Sequence, residues 1–462
     1  MRRRVGLSIA VPLFIISVTN AWAQSTQVVS QPAWLEPYRD PASRLIGEAV
    51  SSTFAWDRLA VLTDTIGNRL SGSPALDRAV QWAVAEMKKD GLENVHTERV
   101  MVPKWVRGSE SAEIVEPARQ AMVMLGLGDS VGTGGDAIQA EVLVVHSFDE
   151  LDAKAAQAKG RIVLFNVPFT NYGETVRFRS GGPSRAARHG AVAMLVRAVG
   201  PPGLRTPHTG ALQYASDVKK IPAAAVSAED ADRLQRMADR GSKPVVRLKM
   251  EAHFDADAES ANVVGEIRGR ERPDEVVVVS GHLDSWDVGA GASDDGGGCV
   301  VTWEALRIMK KLNLRPRRTV RVVLWTNEEN GGRGGLAYRD RHLAELPNHV
   351  MMLESDGGVF RPTGFGFTGS DAARAKIRDL STLLAGIHAD GVGASGGGAD
   401  IGPSVQQAGI PAMSLDVDGN YFLIHHTPAD TIDKIDPLDL ARSSAAIAVM
   451  TYVVAEMPQR LK

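Results

Sequence analysis

Short apolar runs, the first three valine-rich, recur through the second half of the chain, at 263–267, 276–280, 320–325, 350–353 and 412–415, with helical patterns between them at about 295–312, 335–346, 371–386 and 437–456. The run at 276–280 reads Val-Val-Val-Val-Ser, with no alternation of apolar and polar residues. A strand that reads this way is buried on both faces, and repeated strand–helix alternation supplies the helices that cover it. The pattern predicts an α/β fold with a central mixed, largely parallel sheet flanked by helices. A separate small α/β unit is predicted inside 109–255, with strands at 142–145, 162–165, 192–196 and 221–226 and helices at 184–189 and 228–238. Ahead of it, residues 42–102 read as two helices split by Gly67-Asn68-Arg69-Leu70-Ser71-Gly72-Ser73-Pro74, followed by a short strand at 95–102.

The chain begins with three arginines, an apolar run over 5–18, and Ala21-Trp22-Ala23 before Gln24. That is a secretory signal with a small-residue cleavage site after residue 23. The run is shorter than the ~20 apolar residues a membrane span needs, and no later segment is expected to be long and apolar enough to span a bilayer. The expected address is secreted or periplasmic. There is no Asn-x-Ser/Thr sequon, and the lone Cys299 excludes an internal disulfide. With 52 basic and 55 acidic residues the formal charge is −3, so nucleic acid and anionic membranes are not expected partners.

Polar residues gather where the predicted strands end, the rim on which open α/β sheets build their sites. Residues 276–280 run into Gly281-His282-Leu283-Asp284, residues 320–325 into Thr326-Asn327-Glu328-Glu329, and residues 350–353 into Glu354-Ser355-Asp356. Asp294-Asp295 lies among glycines, and His425-His426-Thr427-Pro428-Ala429-Asp430 comes near the end. Histidine with carboxylate and no cysteine is a zinc-type donor set. Asp284 is placed to orient the ring of His282, leaving the other ring nitrogen for metal. Of the adjacent Glu328 and Glu329, one can bind metal while the other serves as general base. Asp294, Glu329 and Asp356 plus one hydroxide carry four negative charges, which two Zn²⁺ ions balance. His425 is left as a neighbour of the pocket, and Pro207-His208-Thr209-Gly210 is expected to pack rather than act. Gly-x-Ser-x-Gly occurs around Ser130 and Ser395, without the strand–turn–helix context a serine nucleophile needs.

In these residues the chain resembles the co-catalytic two-zinc exopeptidases, whose pattern is His-x-Asp, Gly-x-x-Asp-Asp, Glu-Glu, Asp and His-Thr/Ser-x-x-Asp. The resemblance implies that Asp294 bridges two Zn²⁺ ions, with His282 and Asp356 on one and Glu329 and His426 on the other. It implies Glu328 as the base, Asp284 as the residue orienting His282, and a cis peptide between Asp294 and Asp295. It further implies a protease-associated insert over 109–255 between peptidase segments 24–108 and 256–462, a homodimer, and hydrolysis of unblocked dipeptides or terminal peptide bonds. Two rivals remain: a single-zinc acyltransferase of the glutaminyl cyclase type, and a non-catalytic binding module on the same scaffold.

Overall fold

The computed structural model describes residues 32–461, so the signal segment 1–23 lies outside the described residues. Eight strands form the main sheet: β1 (Glu93–Val106), β2 (His253–Ile267), β3 (Arg272–His282), β4 (Arg318–Trp325), β5 (His349–Glu354), β6 (Arg361–Thr368), β7 (Gly391–Gly393) and β8 (Ala412–Asp418). Their order is β1-β2-β4-β3-β5-β8-β6-β7. The central four, β4, β3, β5 and β8, are parallel; β1 and β2 run antiparallel to their neighbours, and β6 runs antiparallel to β8 and parallel to β7. This is the mixed, largely parallel sheet the valine runs predict. In register, His282 stands opposite Trp325, and Ser280 opposite Glu354, so β3, β4 and β5 end together and their following loops meet over one rim.

One face of the sheet buries Val277, Val279, Val320 and Val322 against the helices Glu36–Val50, Gly297–Lys311 and Pro437–Glu456; the other buries Val276, Val278 and Val323 with Tyr338 and Ile401. Burying one valine side chain contributes about 1.5–3 kcal/mol, which is why these runs become central strands and not edges. Pro437–Glu456 corrects one sequence expectation. At 20 residues, with an 18-residue stretch of mean hydropathy 1.3, it is long and apolar enough to cross a membrane, yet 83% of that stretch is buried as a core helix.

A second eight-stranded sheet spans residues 110–250, with Ile138–Val145, Ile162–Phe165, Ala193–Arg197 and Ala223–Val226 parallel at its centre. The first segment departs from expectation in one respect. Its leading helix is interrupted at Ser51-Ser52-Thr53, giving Glu36–Val50 and Phe54–Ala60 before Pro74–Lys89. β2 also extends ten residues further toward its start than its apolar run: 253–259 pairs with β1 while its own side chains are exposed or half-buried on both faces, so it carries no hydrophobic pattern.

Candidate metal centre and active site

The glycine-flanked Asp294 occupies the middle of the rim. Its Oδ1 lies 3.2 Å from His282 Nε2 and its Oδ2 lies 3.2 Å from His426 Nε2. Asp356 Oδ1 is 3.2 Å from the same His282 nitrogen, and Glu329 Oε2 is 3.1 Å from the same His426 nitrogen. The structure therefore brings all five sequence-predicted ligands together, in two sets that share one carboxylate. Asp294 Oδ2 is buried without a well-formed hydrogen bond, and the gap between Asp294, Glu329 and His426 measures about 10 Å³, room for one ion or water. A roomier cavity of about 680 Å³ belongs to the second sheet and has none of these residues in its lining.

Local backbone explains how Asp294 reaches this position. The Asp294–Asp295 peptide is cis, and both residues leave helical geometry just before Gly297–Lys311 starts. Asp430 accepts the main-chain N–H groups of Ser293 (2.7 Å) and Asp294 (3.1 Å), while Asp295 accepts those of His282 (2.9 Å) and Gly298 (3.0 Å). The loop is held from behind by Arg69, fully buried, whose guanidinium donates to Leu283 O, Ala290 O and Gly291 O at 2.8–3.0 Å. Gly298 leaves no space for a side chain, since a Cβ there would stand 1.8 Å from Ser355 O.

Asp284 behaves differently from the sequence expectation. The partner of His282 Nδ1 is the Asp284 main-chain carbonyl at 3.0 Å, with the carboxylate 3.9 Å away. A carbonyl accepts but cannot donate, so it fixes the Nδ1–H tautomer and leaves Nε2 as a lone-pair donor. The carboxylate of Asp284 instead accepts the main-chain N–H groups of Glu328 (3.2 Å) and Glu329 (3.3 Å) and the hydroxyl of Ser71 (3.2 Å). It sets the turn that carries both glutamates. Glu329 is anchored through Oε1, which accepts the Trp286 N–H at 3.2 Å, and the half-buried Glu328 stands beside it.

Sequence reasoning missed the contribution of the second-sheet unit. Thr209 donates its N–H to His426 O (2.9 Å), and Thr209 O lies 3.3 Å from His426 Nδ1, the counterpart of the carbonyl on His282. Arg179, buried beside it, approaches the same Nδ1 at 3.4 Å and donates to Tyr172 Oη at 3.0 Å. Pro207-His208-Thr209-Gly210 thus reaches the rim and does more than pack. His425 Nε2 stands 3.6 Å from Asp294 Oδ2, and its ring stacks on His426 at 3.5 Å. Ser130 is spent on structure: its hydroxyl accepts Ala223 N–H at 2.9 Å and donates to Val131 O.

The electrostatics show a surplus of buried negative charge. Burial, reinforced by Asp356, Asp284 and Asp294, pushes Glu328 up to about 8. Burial and Asp294 likewise raise Glu329 well above the carboxylate range. Burial alone would keep His282 neutral, but Asp356 and Asp294 push it well above its usual value. Carboxylates gathered this closely out of water are stable only when paired with cations, and an O/N donor set of this kind fits zinc.

Comparison with known proteins agrees with this geometry. Residues 262–451 match the model of peptidase family M28. Mouse carboxypeptidase Q is 47% identical over 428 residues, covering 92% of this chain and 91% of its own. This chain belongs to peptidase family M28. The crystal structure of an M28 peptidase precursor from Shewanella amazonensis superposes with a TM-score of 0.87 at 35% identity, covering 92% of this chain and 98% of its own. A zinc aminopeptidase from Bacillus subtilis shares the fold, with a TM-score of 0.67 at 21% identity over 88% of this chain and 96% of its own. Like its M28 relatives, the chain is a zinc-dependent metallo-exopeptidase.

Proposed function

We propose that this M28 exopeptidase hydrolyses unblocked dipeptides with two zinc ions per chain. The observation that carries the reading is the sharing of Asp294: one oxygen faces His282 and Asp356, the other faces His426 and Glu329. In this reading His282 and Asp356 would hold one ion and Glu329 and His426 the other, with Asp294 offering an oxygen to each. Zinc held there would supply a lowered pKa for water and polarisation of the scissile carbonyl. The remaining chemistry belongs to Glu328, whose carboxylate takes a proton from the attacking water and returns it to the leaving amine. Asp284 holds Glu328 and Glu329 by their main-chain N–H groups, and the carbonyls of Asp284 and Thr209 keep the two histidines in the ligating tautomer.

The same proposal takes residues 1–23 as a cleaved export signal, so that the enzyme works in a secreted or periplasmic setting. It assigns 109–255 as a protease-associated insert between the peptidase segments 24–108 and 256–462, and the enzyme as a homodimer. Product analysis by mass spectrometry on one dipeptide sequence, free, N-acetylated and C-amidated, each with and without a zinc chelator, tests the specificity. Cleavage of the free form alone, abolished by the chelator, is expected. Cleavage of the acetylated form would make it a carboxypeptidase, cleavage of the amide an aminopeptidase, and either would overturn the dipeptidase reading.

A further inference from the structure

A chain of side-chain hydrogen bonds runs from the second-sheet unit to the turn carrying Glu328 and Glu329. Asp129 Oδ1 accepts from Asn330 Nδ2 at 3.3 Å, and Asn330 Oδ1 accepts from Asn327 Nδ2 at 2.8 Å. The same Asn327 amide donates to Ser71 Oγ at 3.1 Å, and Ser71 Oγ donates to Asp284 Oδ2, the oxygen that accepts the Glu329 N–H. Every link has one donor and one acceptor, and the chain ends at each extremity on a carboxylate. Neither the zinc ligands nor the proton transfers account for Asp129 or Asn330.

The turn needs such support. Asn327 lies at φ +66°, in the left-handed region that few residues other than glycine adopt without local hydrogen bonds, and Glu328 and Glu329 follow it directly. Asp129 is itself at φ +65° and sits on a segment with little freedom. Its neighbour Gly128 donates to Gly210 O at 3.0 Å and accepts from Leu212 N–H at 3.0 Å, and a Cβ on Gly128 would fall 1.9 Å from the Trp286 ring. The main-chain N–H of Trp286 in turn donates to Glu329 Oε1. The segment 128–129 therefore grips the turn twice, through Trp286 on Glu329 and through Asn330 on Asn327.

We propose that Asp129 is a positioning residue for the hydrolysis: through Asn330 and Asn327 it fixes the turn that aims Glu328, so that the second-sheet unit completes the active site. The inference rests on Glu328 being the base. The test compares kcat, KM, zinc content and thermal stability for Asp129→Ala, Asp129→Asn, Asn330→Ala and the double variant Asp129→Ala/Asn330→Ala, with Glu328→Gln as benchmark. Loss of a residue that orients a catalytic group typically costs 10–100-fold, so Asp129→Ala is expected to lower kcat at least about tenfold, with KM and zinc content unchanged. Asp129→Asn keeps an acceptor at Oδ1 and should recover most of that loss, and the double variant should be no slower than the slower single one. The proposal is overturned if Asp129→Ala turns over at the wild-type rate while Glu328→Gln is inactive, if Asn rescues nothing, or if the two single losses multiply. An active Glu328→Gln enzyme would instead remove the base, and this inference with it.

Discussion

Glu328 and Glu329 are chemically identical neighbours, and their surroundings give them different work. Glu329 is bound on one oxygen by the Trp286 N–H and faces His426 with the other, whereas Glu328 is gripped through its main chain. Glu328→Gln preserves size and the main-chain contact but removes the proton acceptor. Turnover should fall by about 10²–10⁴-fold while zinc content stays at the wild-type level, checked by initial rates and elemental analysis. A residual rate above about a hundredth of wild type would mean that another group takes the proton. Of the five proposed ligand positions, His282, Glu329 and Asp356 were legible because each follows the end of an apolar strand, Asp294 because it lies among glycines, and His426 through the His-Thr-x-x-Asp pattern after the short helix Tyr421–Ile424. Thr209 was not legible: it acts through a main-chain carbonyl on a residue 217 positions away, and a carbonyl leaves no trace in residue type. The same applies to Asp284, whose carbonyl does the work expected of its side chain.

Among the elements, those with a buried face could be read and those without could not. β3 and β5 follow their apolar runs closely, while residues 253–259 of β2, the short β7 and the three-residue strands Gln120–Met122 and Met124–Gly126 carry no comparable run. Their residues are placed by pairing with a neighbour and not by burial, so the period-2 signal is weak. Helix starts are better marked. Ser73 caps Pro74–Lys89 by accepting the Leu76 N–H at 3.2 Å, with Pro74 at the first helical position. Ser73→Ala should lower global stability by about 1 kcal/mol in denaturant unfolding and leave kcat unchanged. A change in kcat would show that this helix start communicates with Ser71 and the Asp284 network, two residues away.

At the scale of the whole molecule, the fold concentrates carboxylates at one buried point and relies on metal to neutralise them. Burial pushes Glu328 up to about 8, and Glu354 and Asp430 up to about 7 each, far above their values in an unfolded chain. In the metal-free protein the folded state therefore binds more protons than the unfolded state between about pH 4 and 8, and stability must fall as pH rises through that window. Thermal unfolding of chelator-treated enzyme should show a midpoint that drops from pH 5 to pH 8, and zinc should restore it most at the upper end, where the carboxylates are ionised. A metal-free midpoint that rose over that range would contradict the charge account. The second sheet contributes to the same point through Thr209, Arg179 and Asp129, so the site is a joint product of both sheets. The claim on which all of this rests is that one carboxylate, Asp294, is shared between two zinc ions, and elemental analysis of the purified wild-type chain beside Asp294→Ala tests it most directly. Two zinc ions per wild-type chain with both lost or severely weakened in the variant are predicted; one zinc in the wild type, or two retained without Asp294, would contradict it.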